Sequence, residues 1–222
     1  LKKPTFTAKD WERLVNDGTN YGDEGEQFTP RQKILFECIK DKKVLKIQDA
    51  YAFTIKGKKE ENHAIDLAQM IAEFEPIQTV NSLIITHNSF TPEAFKILME
   101  SPYLQGIEYL QLGSNELSDE GTRMIANSEK FQKVHTLSLE SNGIGPEGAK
   151  ALATSSFLTH ITYLSLVDNR VGDEGAFAIA QSDNLASLTY LHLGGNKIKS
   201  EEAKQAVRES NKLVNLETLK IF

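Results

Sequence analysis

The chain has 222 residues, 40% of them hydrophobic, so a substantial core is possible and length alone allows one or two domains. A net charge of −6 argues against general nucleic-acid binding, and no apolar run reaches the roughly 18 residues of a membrane helix. Cys38 is the only cysteine, which excludes an internal disulfide, and with no Asn-x-Ser/Thr sequon this points to a cytoplasmic or otherwise intracellular, reducing compartment.

Residues 1–43 follow no repeat and read as a helical N-terminal cap. Thr7 precedes a short amphipathic segment with Trp11, Leu14 and Val15 on one face. A polar loop with four acids, Asp17, Asp23, Glu24 and Glu26, comes next. It fails the calcium-loop template, because Tyr21 falls where a third oxygen ligand belongs. Thr29-Pro30 then opens a second helix whose stripe is Ile34, Leu35, Cys38 and Ile39. Cys38 reads as a core residue rather than a nucleophile.

Residues 44–222 form the second unit. A degenerate first repeat spans 44–79, with Leu45 and Ile47 at strand positions and a helix presenting Ala64, Leu67, Met70, Ile71 and Phe74 inward. Between them, Lys56, Lys58 and Lys59 beside Glu60 and Glu61 read as a solvated loop. Regular repeats fill 80–215, and a terminal strand spans 216–222. Asn88, Asn115, Asn142, Asn169 and Asn196 stand 27 residues apart. Ahead of them run three apolar columns: Val80, Ile107, Val134, Ile161, Leu188 and Leu216; Leu83, Leu110, Leu137, Leu164, Leu191 and Leu219; Ile85, Leu112, Leu139, Leu166, Leu193 and Ile221. Alternation between the second and third columns predicts a short strand with one face in the core. A fixed period of this length predicts a solenoid, in which no unit buries its apolar face alone.

Each asparagine precedes a buried residue (Phe90, Leu117, Ile144, Val171 or Ile198) and then a helix start such as Thr91-Pro92-Glu93 or Gly172-Asp173-Glu174. Proline or an acid in the first turn suits the positive end of a helix, so these acids read as structural. Gly121, Gly148 and Gly175 sit inside the first turn, where close packing of helix against strand is the expected reason. The asparagine amides are expected to pair with backbone groups in successive turns, forming a structural ladder.

The pattern L-x-x-L-x-L-x-x-N-x-I-G-D-E-G resembles the leucine-rich repeats of the ribonuclease-inhibitor-like class, over residues 80–222. That resemblance implies an α/β, right-handed horseshoe solenoid with a parallel sheet on the concave side and helices on the convex side. It also implies a protein-interaction module. The uniform 27-residue units look more bacterial than mammalian, and the family includes bacterial proteins delivered into host cells.

On such a concave face the outward columns read Ser82, Tyr109, Thr136, Tyr163, Tyr190 and Thr218, then Ile84, Gln111, Ser138, Ser165, His192 and Lys220. Tyrosine combines a large rigid ring with a hydrogen-bonding tip, which suits protein or peptide recognition. The candidate binding residues are Tyr109, Gln111, Glu140, Tyr163, Ser165, Asp168, Tyr190 and His192. The competing reading makes the tyrosines plain solvent-facing strand formers.

No cofactor, metal, nucleic-acid or membrane partner is expected, nor an enzyme activity. His87 and His192 lie four strands apart, about 19 Å, too far to share a metal. Ser138, Ser165 and His192 share a column, but flat strand backbone offers no obvious oxyanion hole. A second functional reading remains open: a recognition domain of, or regulator for, an enzyme of GTPase-activating or ubiquitin-ligase type. The strand at 216–222, without a closing cap, raises self-association or continuation of a longer chain as expectations.

Overall fold

The computed structural model describes residues 43–48 and 63–222. The cap expected over 1–43, apart from Lys43, lies outside these residues, as do Cys38, the acidic loop at 17–26 and the lysine-rich loop before His63.

Among the described residues seven strands form one all-parallel sheet in chain order. They are β1 (Val44–Gln48), β2 (Ser82–Thr86), β3 (Tyr109–Gln111), β4 (Thr136–Ser138), β5 (Tyr163–Ser165), β6 (Tyr190–His192) and β7 (Thr218–Lys220). Helices alternate with them: α1 (His63–Ala72), α2 (Pro92–Glu100), α3 (Ser118–Ala126), α4 (Pro146–Ala153), α5 (Gly172–Ala180) and α6 (Glu201–Arg208). Short 3-10 turns at Glu75–Thr79 and Glu129–Phe131 lead into β2 and β4.

The register is one repeat per strand. Leu45 pairs with Leu83, Leu83 with Leu110, Leu110 with Leu137, Leu137 with Leu164, Leu164 with Leu191 and Leu191 with Leu219. These leucines form the inner row, and those from Leu45 to Leu191 are fully buried. Burial of one such side chain is worth about 1.5–3 kcal/mol, so the stacked row supplies much of the stability that no single unit has. The helices close the opposite wall with Phe95, Leu98, Ile125, Leu152, Ile179 and Val207. Phe95 and Phe131 stack across the boundary between neighbouring repeats, centroids 6.4 Å apart.

Strands β2 to β6 each end in a turn that uses the left-handed region. His87, Ser114, Ser141 and Asp168 have φ between 52° and 57°, and Gly195 takes φ 72° in the same row. That reversal sends the following asparagine side chain under the turn. Asn115 Nδ2 donates to Ile85 O at 2.8 Å in the previous repeat and to Leu112 O at 3.0 Å in its own. Its Oδ1 accepts from the backbone N–H groups of Asn88 and Phe90. Asn142, Asn169 and Asn196 repeat the arrangement, reaching back to Leu112 O, Leu139 O and Leu166 O. Each amide thus satisfies buried backbone groups of two repeats at once.

A second row runs along the helix ends. Ser101 Oγ donates to Ala72 O at 2.6 Å, Ser155 Oγ to Ala126 O, Ser182 Oγ to Ala153 O at 2.5 Å and Ser210 Oγ to Ala180 O at 2.5 Å. The last carbonyls of a helix lack partners within the helix, and each serine supplies one from the next repeat. Ser128, at the same place in its unit, accepts from Lys130 N–H instead, and Lys130 Nζ donates to Ser101 O at 2.7 Å.

The first-turn glycines have a different cause from the helix-against-strand packing expected of them. A Cβ on Gly121 would meet Leu117 Cβ at 2.9 Å, one on Gly148 would meet Ile144 Cγ2 at 2.7 Å, and one on Gly175 would meet Val171 Cγ1 at 2.6 Å. In each case the buried residue four positions earlier folds back under the start of its own helix, and at Gly148 the Asp119 carboxylate of the previous repeat stands as close, at 2.6 Å.

Candidate functional site

The sheet face turned away from the helices carries the outward residues. Six strand intervals of about 4.8 Å make it about 29 Å across. The register places Tyr109, Thr136, Tyr163, Tyr190 and Thr218 side by side on β3 to β7. Gln111, Ser138, Ser165, His192 and Lys220 form the adjacent row.

Tyr163 and Tyr190 stack ring on ring, with centroids 4.4 Å apart and planes 4° from parallel. Lys220 Nζ lies 5.7 Å from the Tyr190 ring centre, within cation–π reach. His192 stands edge-on to Tyr190 at 6.3 Å, and Phe222 leans on the imidazole at 5.9 Å. Burial, then the neighbouring Tyr190 and Glu140, push the Tyr163 phenol above its ordinary range.

Glu140 projects from the turn after β4 and accepts a hydrogen bond from Ser165 Oγ at 2.9 Å. Ser165 itself is fully buried, so it orients Glu140 and offers no free surface. Asp168 is exposed in its left-handed turn, its carboxylate lying over Gly195. His192 is partly buried and its imidazolium is disfavoured, first by burial and then by Lys220, against the opposing pull of Glu140 and Asp168.

The candidate binding residues therefore divide. Tyr163, Tyr190, His192, Glu140 and Ser165 come together, with Asp168 at their edge. Tyr109 and Gln111 stand two strands from Tyr163, across Thr136 and Ser138. Thr136 Oγ1 is hydrogen-bonded with His135 Nδ1 at 3.1 Å. Ser138 Oγ and His192 Nε2 are the buried side-chain polar atoms without a hydrogen-bond partner among the described residues. The column of Ser138, Ser165 and His192 does not form a nucleophile pair, because the Ser165 hydroxyl is committed to Glu140. Among the described residues no group of three or more histidines, cysteines, aspartates and glutamates could hold a metal ion.

Two features escaped the sequence reading. Lys220 on the far face of Tyr190 had no motif to mark it, although its place in the column was visible. The serine row was signalled by Ser101, Ser128, Ser155 and Ser182, 27 residues apart.

A family model described as leucine-rich repeat matches residues 106–126, 132–153, 157–180 and 184–201. No curated protein matches the chain. Among solved structures the chain is similar to an internalin from Listeria monocytogenes, at 21% identity and a TM-score of 0.47, over 68% of this chain and 38% of that one. This chain thus spans well under half of the internalin's length.

Proposed function

We propose that this leucine-rich-repeat chain binds a protein or peptide partner on the outer face of its parallel sheet, as the concave side of a solenoid of the ribonuclease-inhibitor-like kind. The observation that carries the reading is the Tyr163–Tyr190 stack, two rigid aromatic rings packed on one another, with Lys220 over the outer face of Tyr190. Pre-ordered tyrosines lose little side-chain freedom on binding, and aromatic residues of this kind dominate the energetics of protein interfaces. Glu140, Asp168, His192 and Lys220 surround them with charge and hydrogen-bonding groups that would select the partner. The leucine-rich repeats support protein partners in general.

The test is capture of partners by the chain and by its Tyr163→Ala/Tyr190→Ala variant, with Lys96→Ala, on an exposed helix position, as control. Loss of two central aromatic anchors is expected to weaken a specific partner by roughly ten-fold or more, while the control changes nothing. Retention of every recovered partner by the double variant would remove the sheet face from the binding surface.

A further inference from the structure

The geometry points to a slot for an arginine side chain of the partner, over Thr136 between Tyr109 and Tyr163. This inference rests on the sheet-face reading above and specifies its ligand chemistry. Tyr163 is stacked on one side only, by Tyr190. On its other side the register places Thr136 and then Tyr109. The row of rings along β3–β6 thus has one small residue interrupting it. Two strand intervals separate the strands that carry the walls, so a flat group inserted midway stands about 4.8 Å, in strand spacing, from each of them. That is close to the 4.4 Å between Tyr163 and Tyr190, so an inserted plane would extend the existing stack.

Charge selects the guest. At the outward positions of β3, β4 and β5, and the two residues after each, Glu140 is the single charged residue. Lys220 lies beyond Tyr190 and is already placed over that ring. Glu108, just before β3, accepts from Asn81 Nδ2 at 3.3 Å and so reaches toward β2, away from the slot. A cation between two tyrosines therefore meets one carboxylate, and the base beside the slot, the His135 imidazole, is tied through Nδ1 to Thr136 Oγ1 at 3.1 Å. Guanidinium fits better than ammonium, because it is planar, stacks on aromatic faces and presents a fork of donors to a carboxylate.

A separate observation marks the same place. Ser138, one side-chain step along β4 from Thr136, is 4% exposed, and its Oγ has no partner. Unpartnered buried hydroxyls are uncommon in folded chains. This one sits in the floor at the end of the slot, next to the Ser165–Glu140 hydrogen bond in the register. The side chain of arginine carries five donors and no acceptor, so Glu140 and Ser138 offer what it requires.

The experiment is a titration of the tyrosine-ring NMR resonances with blocked pentapeptides, Gly-Gly-Xaa-Gly-Gly, in which Xaa is arginine, lysine, citrulline or leucine. The arginine peptide is expected to move the Tyr109 and Tyr163 signals together and to saturate. Citrulline and leucine peptides should leave them in place, with the lysine peptide weaker than arginine by about five-fold. Thr136→Tyr, which fills the gap with a strand-favouring residue, should abolish the response, and Glu140→Gln should weaken it about five- to ten-fold. Tyr190→Ala should retain it, since neither wall is lost. No saturating response to arginine, an equal response to leucine, or a response that survives Thr136→Tyr would each overturn the slot. A partner lost by Tyr163→Ala/Tyr190→Ala but kept by Thr136→Tyr would also overturn it while leaving the broader sheet-face reading intact.

Discussion

The carboxylate of Asp119 accepts a hydrogen bond from the backbone N–H of Gly148 at 2.8 Å, one repeat further along the chain. The same oxygen accepts from Gly145 N–H at 2.7 Å. An acid in the first turn of α3 therefore caps α4, where Gly145 offers no side chain of its own. Asp173 bridges the next boundary but one, accepting from Ser200 and Lys199 N–H at 3.1 and 2.7 Å just ahead of α6, which Ser200 Oγ itself caps, and those bonds hold the Asp173 pKa below the ordinary carboxylate range. Asp119→Ala is expected to cost about 1 kcal/mol, within the usual range for a lost cap. Urea denaturation of the full chain measures it. Asp183→Ala, which removes only an exposed pair with Lys212, should cost well under half as much.

Gly148→Ala reverses the ordinary helix rule. Alanine in a helix interior is favoured over glycine by about 1 kcal/mol. Here the added Cβ would stand 2.6 Å from Asp119 Oδ1 and 2.7 Å from Ile144 Cγ2. The substitution should lower stability by about 1–3 kcal/mol, as overpacking does. A denaturation midpoint equal to or above that of the unchanged chain would refute the packing account.

Ser182→Ala tests the row of serines at the helix ends. It would leave Ala153 O buried without its donor, at a cost of about 1–3 kcal/mol. It also removes the acceptor for Leu185 N–H at 3.1 Å. Ser128→Ala is the comparison, because Ser128 Oγ caps only Lys130 N–H and does not serve the preceding helix. The Ser182 variant should be the less stable of the two by thermal or urea unfolding.

The imidazole of His192 makes stability depend on pH. Burial and Lys220 lower its folded-state pKa below the unfolded value near 6.5. Between the two values the unfolded chain binds more protons, so stability rises with pH across the window just below about 6.5. Above the window the group contributes nothing, and below the folded value its destabilisation is complete and constant. His192→Gln should flatten that part of the profile. An unchanged slope in midpoints measured from pH 5 to 7.5 would assign the dependence to other groups.

The parts of the fold that repeat were the parts legible beforehand. Val80, Leu83 and Ile85 recur as a trio, so their burial and the strand between them followed from period alone. The neighbouring of Tyr163 and Tyr190 followed from the same register, because residues 27 apart stand on adjacent strands. What stayed hidden depends on side-chain direction. Asp119 looked like a residue serving its own helix, since first-turn acids ordinarily do, and no spacing says that its carboxylate turns to the next unit. Gly175 was legible as a costly glycine, whereas the atom in its way, Val171 Cγ1, is known only once the turn is folded. Ser165 illustrates the same limit from the other side: its column marked it as outward, and only its bond to Glu140 removes it from the free surface.

The extra residue of the last unit shows what such a molecule tolerates as its gene changes. Asn169 and Asn196 are still 27 apart, but Ser182 and Ser210 are 28 apart, so the addition falls between the asparagine turn and the end of α6. Asp173 meets it by bonding to Lys199 and Ser200, whereas Asp119 spans to Gly145 and Gly148. Duplication or loss of a whole 27-residue unit would preserve the asparagine bonds between its neighbours. The last unit takes its added residue in the short stretch leading into a helix, where a carboxylate can choose among amides.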